Sequence, residues 1–341
     1  MPVILTIILL IPAAAAASYF CYRLAFSVPK QSREALFEMP DTEQYAPYSA
    51  ESRQMISDAL EIPYKEAVVT SYDGLRLFGK CYIASADAPW LIMLHGYRSG
   101  AERDFCGGLK FGIDSGFNVL LVDQRAHGKS EGKCLTFGIK ERYDCLTWTN
   151  YVISQAGGSC KIALYGMSMG AATVLMAAGS GLPKNVACIV ADCGYTSPKA
   201  IIKKVIREMH YPVFPTYALV RPVSYTHLRA HETKAIREMH YPVFPTYALV
   251  RLGGMLFGGF DIEEYSAVQA MEKCDIPVLF IHGDDDRFVP CDMGRENHRH
   301  CRAEGKKLLI VPNAGHGMSY MSDKRAYLGT VSEFLKSALE T

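Results

Sequence analysis

The chain has 341 residues, with 36 Lys and Arg against 35 Asp and Glu, a formal net charge of +1. Hydrophobic residues make up 49% and charged residues 21%, so there is ample apolar surface to bury and disorder as the dominant state is excluded. No basic excess exists to hold nucleic acid, and a single stretch is apolar enough to span a bilayer, which excludes a polytopic membrane protein.

That stretch comes first, an uncharged run from Pro2 to Tyr22. As a helix rising ~1.5 Å per residue it reaches about 31 Å, enough for a hydrocarbon core. The sequence therefore predicts one N-terminal transmembrane helix, a membrane anchor over residues 1–26. Arg23, Lys30 and Arg33 follow it, and the positive-inside rule then puts the downstream domain in the cytoplasm. The competing reading is a cleaved signal peptide with export. Ala13 to Ala17 supply small residues for cleavage, but no basic segment precedes the apolar run. The 11 cysteines are scattered and odd in number, the pattern of small core residues in a reducing compartment and not of a disulfide framework.

Residues 27–65 carry Pro29, Pro40, Pro47 and Pro63 and read as a linker with a short helix near Ser52–Leu60. From Glu66 the texture changes. Two runs of strand formers flank Asp73-Gly74, a favoured tight turn. Continuous apolar runs at Trp90–Gly96, Phe117–Arg125, Lys161–Gly166, Val186–Cys193, Pro277–Gly283 and Lys307–Ala314 read as buried parallel strands. Helical patterns over 138–156, Ala171–Ala178 and Lys324–Leu339 alternate with them. The expected fold is α/β, a mostly parallel central sheet with helices on both faces, over 66–341. The connection from Thr196 to Asp275 is too long for an ordinary link and predicts a helical cap over the carboxyl ends of the strands, inserted at about 196–275.

The cap contains an anomaly. Residues 206–221 and 236–251 both read IREMHYPVFPTYALVR, with PVSYTHLRAHETKA between them. Evolved repeats keep a pattern while their surfaces drift; perfect identity beside no other repeat does not fit that origin. The intervening segment resembles a translated sequencing adaptor. Residues 222–251 are therefore expected to be an assembly artefact, with poor order around 222–235.

Chemistry concentrates at Gly166-Met167-Ser168-Met169-Gly170, which follows an apolar strand and opens an Ala-rich helix. This is the nucleophile-elbow pattern G-x-S-x-G in its proper context. A serine hydroxyl needs a base to take its proton, and the base needs a carboxylate to orient it, both at the tops of later strands. His282-Gly283-Asp284-Asp285-Asp286 follows one such strand, with Val289-Pro290 after it. Gly315-His316-Gly317 follows the next. The order serine, aspartate, histidine is that of one hydrolase architecture.

From about Glu66 to the carboxyl end, these motifs resemble the α/β-hydrolase superfamily, in the branch that holds serine-aminopeptidase-like and esterase-type proteins. The resemblance places the family pattern H-G-x-x-D-x-x-V-P on His282, Gly283, Asp286, Val289 and Pro290. It thereby implies a triad of Ser168, Asp286 and His316, with Asp284 and Asp285 as loop carboxylates. It implies an oxyanion hole from the backbone N–H groups of Tyr97, in His95-Gly96-Tyr97, and Met169. The run Asp123 to Ser130 matches a turn after the fourth strand, with Ala126 where relatives usually have Gly. The implied activity is hydrolysis of an ester-type acyl bond in a small-molecule substrate through an acyl-enzyme. A serine aminopeptidase-like peptidase, a thioesterase and a membrane-tethered binding protein without turnover are the alternatives. No cofactor is implied, and no metal: the spacing from Cys291 through His298 and His300 to Cys301 fits no tetrahedral pattern, and no phosphate-binding or dinucleotide motif occurs. The expected partners are the acyl substrate and, through the first helix, a membrane.

Overall fold

The computed structural model describes residues 2–30, 32–208 and 243–340, with the backbone alone over 2–10. The expected poor order around 222–235 lies outside the described residues.

The chain opens with helix α1 (Pro2–Phe26), two short 3-10 turns (Glu34–Phe37 and Ala46–Tyr48) and α2 (Ser49–Glu61). Then follow β1 (Lys65–Thr70), β2 (Arg76–Tyr82), β3 (Trp90–Leu94), α3 (Ala101–Asp104), α4 (Cys106–Asp114), β4 (Asn118–Asp123), α5 (Glu141–Ala156), β5 (Ile162–Met167), α6 (Met169–Ala178) and β6 (Val186–Asp192). The cap region contributes α7 (Pro198–Glu208), α8 (Val243–Gly253), a π turn at Gly254–Gly258 and α9 (Ala267–Met271). The chain finishes with β7 (Val278–Gly283), α10 (Cys291–His300), β8 (Lys307–Val311), α11 (Ser319–Ser322) and α12 (Lys324–Glu340).

The eight strands form one sheet in the order β1-β2-β4-β3-β5-β6-β7-β8. β1 pairs antiparallel with β2, and β2 antiparallel with β4; every later pairing is parallel. The apolar runs explain this. β3, β4, β5 and β7 are buried along their whole length, as strands covered on both faces must be. Alternate residues serve opposite faces. Ile92, Leu94, Leu120 and Leu164 pack with α5, α6 and the cap; Leu91, Met93, Leu121 and Tyr165 pack with α4 and α12. β3 has β4 on one side and β5 on the other, so the strand order reverses there. A crevice at the carboxyl ends of such strands is where α/β sheets place their chemistry.

One expectation about the first 65 residues needs correction. Among the described residues, no helix is long and apolar enough to cross a membrane. α1 forms, but its second half is engaged by protein: Ser18, Cys21, Tyr22 and Phe26 are buried. Phe26 meets Phe137 and Phe260 edge-on, with ring centres 5.8 and 5.0 Å away. Gly253 at the end of α8 admits the helix because a Cβ there would stand 2.5 Å from the Ser18 carbonyl oxygen. A helix that is apolar all round is as fit to pack against a protein core as to face lipid. The short helix expected within residues 27–65 forms as α2 (Ser49–Glu61). α2 buries Ile56 and Ala59, and the segment before it reaches the functional site.

The duplicated sequence is divided between two helices. α7 takes Ile206, Arg207 and Glu208 from the first copy, and α8 takes Val243–Arg251 from the second. Part of the stretch expected to be artefactual is thus packed. Since the copies are identical, deleting 222–251 would put Val213–Arg221 in its place with the same residues.

Candidate active site

The site is built around the sharp turn between β5 and α6. Ser168 is the single residue between them, at φ 55° and ψ −111°, a conformation that costs about 1–3 kcal/mol and persists only where its surroundings enforce it. Both flanking glycines are required by close approach. A Cβ on Gly166 would lie 2.3 Å from the Gly170 carbonyl oxygen, and one on Gly170 would lie 1.8 Å from the Leu94 carbonyl oxygen. The Ser168 N–H donates to the Asp192 carbonyl of β6 at 2.8 Å, and its carbonyl accepts from Ala172 N–H at 3.0 Å. Met169 is the first residue of α6, so its N–H has no acceptor within the helix and lies at the positive end of the helix dipole.

His316 lies on the loop after β8 and Asp286 on the loop after β7. The structure brings both to Ser168. His316 Nε2 is 2.9 Å from Ser168 Oγ, and His316 Nδ1 is 2.7 Å from Asp286 Oδ2. The other carboxylate oxygen accepts from the Phe288 and Val289 N–H groups at 2.9 and 2.8 Å. His282 Nε2 stands 3.3 Å from Oδ2. Burial acts to raise the Asp286 pKa, yet the His316 charge and its hydrogen-bond partners hold it well below the usual carboxylate range. Burial acts to lower the His316 pKa, and Asp286 beside it reverses the sign, leaving it raised. With Nδ1–H committed to a carboxylate, Nε2 of the neutral ring is the acceptor that faces the serine hydroxyl. Asp284 and Asp285 are turned elsewhere: Asp284 accepts from the Asn313 N–H at 2.6 Å, and Asp285 pairs with Arg287 at 3.0 Å.

The loop after β3 passes beside Ser168, since a Cβ on Gly96 would lie 3.3 Å from the Ser168 Cβ. Buried polar groups hold it there. Gly96 N–H donates to Asp104 Oδ2 at 2.6 Å. His95 accepts from the Gln124 N–H at 3.1 Å through Nε2, so its Nδ1–H donates to the Gly96 carbonyl at 2.8 Å. His127 accepts from the Arg98 N–H at 3.1 Å and contacts the Arg125 carbonyl at 2.9 Å. Burial lowers the His95 pKa to about 4 and the His127 pKa to about 3, so both rings act as neutral struts. Arg125 anchors the following turn through Asp144, at 2.6 and 2.7 Å, and Asp73, at 2.9 Å. Ala126 in that turn has φ 66°. Tyr97 donates from its hydroxyl to the Ala25 carbonyl of α1 at 3.1 Å.

Two neighbours of the site went unseen in the sequence. Tyr45 donates from its hydroxyl to the His316 carbonyl at 2.7 Å. Gln44 donates to the Asp285 carbonyl at 2.8 Å and to Asp285 Oδ2 at 2.7 Å. No local signal marks them, because they sit in a proline-containing polar stretch far from the motifs.

Among the described residues, one group has the makings of a metal site. Ligand atoms of Cys193, Asp286 and His316 lie within 4.8 Å of one another. Its chemistry is unfavourable: Nδ1 and the carboxylate are spent on each other, and burial holds the Cys193 thiol protonated, with its pKa well above the usual thiol value, whereas metals bind the thiolate.

The family described as the alpha/beta hydrolase fold matches residues 89–321, about two thirds of the chain. The chain belongs to that family. Among curated relatives, YqkD of Bacillus subtilis, a protein without an assigned role, is 27% identical over 259 residues, covering 74% of this chain and 73% of its own. The bifunctional esterase/perhydrolase DCH of Acinetobacter calcoaceticus is 24% identical, covering 73% of this chain and 92% of its own. Of solved structures, the Pyrococcus furiosus esterase Pf2001 superposes with a TM-score of 0.62 at 21% identity, over 92% of this chain and 97% of that one. At that identity the likeness is one of fold.

Proposed function

We propose that the protein is a serine hydrolase that cleaves carboxylic esters of small molecules through a covalent acyl-enzyme. One observation carries the reading: a hydroxyl on a strained elbow, 2.9 Å from an imidazole nitrogen whose other nitrogen is 2.7 Å from a buried carboxylate. His316 takes the proton as Ser168 Oγ attacks the carbonyl carbon. The backbone N–H groups of Tyr97 and Met169 receive the oxyanion, each contributing ~3 kcal/mol to the transition state. His316 then protonates the departing alkoxide. Water, deprotonated in turn by His316, releases the acid and restores Ser168. Asp286 keeps Nδ1 protonated and favours the imidazolium between steps. The esterase activity named for the Acinetobacter relative supports the choice of ester over amide.

The test is a fluorophosphonate probe and a series of p-nitrophenyl esters. The wild-type chain should be labelled at Ser168 and turn over. Ser168→Ala should lose labelling and at least about 10³-fold in kcat. A Ser168→Ala chain that hydrolyses the esters at the wild-type rate would sink the proposal.

We also propose that α1 holds the protein at a membrane, with the catalytic domain on the cytoplasmic side. The uncharged run Pro2–Tyr22 and the basic residues after it support this. So do the exposed apolar side chains of Ile11, Tyr19 and Leu24 on α1 and of Met255, Leu256 and Phe257 on the π turn beside it. Ser18, Cys21, Tyr22 and Phe26 form the docked face of α1, and about 16 residues, or ~24 Å of helix, precede it. That is short of a ~30 Å hydrocarbon core and suits insertion into one leaflet. Fractionation should leave the full chain with membranes after a high-salt wash. Recovery in the soluble fraction would count against it.

A further inference from the structure

The segment between α1 and α2 crosses the molecule behind the two loops that carry His316 and Asp286. Its attachments at the site are two adjacent side chains with separate targets. The Tyr45 hydroxyl donates to the backbone carbonyl of His316 itself, at 2.7 Å. The Gln44 carboxamide donates to both the carbonyl and the carboxylate of Asp285, the residue before the triad acid, at 2.8 and 2.7 Å. The fit is close. A Cβ on Gly315, next to the histidine, would stand 3.0 Å from the Gln44 side chain.

The strap is itself tied to the domain. Tyr45 accepts from Ser49 at the start of α2 through its carbonyl, at 2.9 Å. Arg53 of α2 donates to the Phe37 carbonyl at 3.2 Å. α2 buries Ile56 and Ala59.

We infer that Gln44 and Tyr45 are positioning residues for the triad, a polar strap that holds the histidine loop and the acid loop in register with each other. The inference rests on the serine-hydrolase reading above. Its physical content is simple. The Nδ1–Oδ2 bond joins two loops that leave different strands; Asp284 ties them near their strands through the Asn313 N–H at 2.6 Å, and the strap adds a second tie at His316 and at the neighbour of Asp286. Gly317 on one side of His316 has φ 68°, a residue without side-chain restraint. The Tyr45 hydroxyl supplies the restraint on the histidine's own peptide, and Gln44 supplies it on the acid loop from the neighbouring residue. Because Gln44 and Tyr45 are consecutive in sequence, the two loops are referenced to one piece of backbone. The Tyr45 hydroxyl bonds the peptide carbonyl of His316, so it acts through geometry and takes no proton. Small errors in such geometry are costly, since a displacement of 1 Å in an enzyme site lowers the rate by up to about 10²-fold.

The experiment compares wild type, Tyr45→Phe, Gln44→Leu, the double variant and Ser168→Ala on a p-nitrophenyl ester and a fluorophosphonate probe. Tyr45→Phe keeps the ring and loses one hydrogen bond. The expected result is a fall of about tenfold in kcat and in the labelling rate, with KM unchanged within about twofold. The double variant should fall further, and melting temperatures should move by a few degrees at most. A proton NMR signal from His316 Nδ1–H, expected far downfield in the wild type, should shift or broaden in Tyr45→Phe. Loss of stability without a local effect leaves that resonance of the folded fraction unmoved. Wild-type kcat, labelling rate and proton resonance in Tyr45→Phe and in Gln44→Leu would overturn the inference while leaving the triad reading intact. Full activity in Ser168→Ala would overturn both. If Tyr45→Phe does not fold, Gln44→Leu carries the same comparison.

Discussion

Two opposed influences act on His316, and the balance sets how rate should depend on pH. Burial favours the neutral ring, Asp286 favours the charged ring, and the net shift is upward. In the proposed mechanism the imidazole is the base and must be neutral. The acid limb of kcat/KM should therefore lie above the ordinary imidazole value of ~6.5. Asp286→Asn removes the charge and leaves burial in place. The limb should then move toward acid, and kcat should fall by about 10⁴-fold because the proton is held on the wrong nitrogen. An unchanged limb in that variant would show that another group controls it. A second residue is informative for stability. Ala126 stands at φ 66°, where a Cβ costs about 1–2 kcal/mol. Part of that is offset in Ala126→Gly by the greater freedom of glycine in the unfolded chain. Ala126→Gly should stabilise the protein by about 0.5–1 kcal/mol in urea, with activity preserved, and a destabilised variant would show that the Ala126 methyl contributes packing that outweighs its strain.

At the scale of elements, what the sequence made legible is what is local. The parallel strands announce themselves because burial on both faces demands uninterrupted apolar residues, as in Trp90–Leu94. The hairpin announces itself through Asp73-Gly74, with Gly74 at φ 87°. The elbow is readable because strand, turn and helix are consecutive. What stayed hidden is long-range. Tyr45 and His316 are 271 positions apart, and nothing in a proline-spaced polar stretch says where its side chains dock. α1 was hidden for another reason, because an apolar helix has the same composition whether its neighbour is lipid or protein. Phe26 tests the protein side of that answer. It is fully buried between Phe137 and Phe260, and the preceding carbonyl, that of Ala25, receives the Tyr97 hydroxyl. Phe26→Ala should cost about 3–5 kcal/mol if α1 is an integral part of the domain, read as a lower urea midpoint. A loss below about 1 kcal/mol would mean that α1 is an appendage whose docking the domain does not need.

At the scale of the whole molecule, the duplicated segment makes a prediction about connectivity. α7 ends at Glu208 and α8 begins at Val243, and they pack together, with the Lys203 ammonium 4.8 Å from the centre of the Tyr247 ring. Each of those residues stands five or six positions from its end of the connection. Deleting 222–251 leaves the α8 sequence unchanged as Val213–Arg221, joined directly to Leu252, and shortens the connection from residues 209–242 to residues 209–212. A link of that length is ordinary between neighbouring helices. Closure entropy grows only with the logarithm of loop length, so the shortening should stabilise the fold by about 2 kcal/mol at most. The deleted chain should therefore melt a few degrees higher, with fluorophosphonate labelling of Ser168 retained, because every described contact of α7 and α8 can be remade by identical residues. A chain that melts lower, or loses labelling, would show that the segment from 209 to 242 is needed to hold α8 and α1 in place, and that the duplication belongs to the working protein.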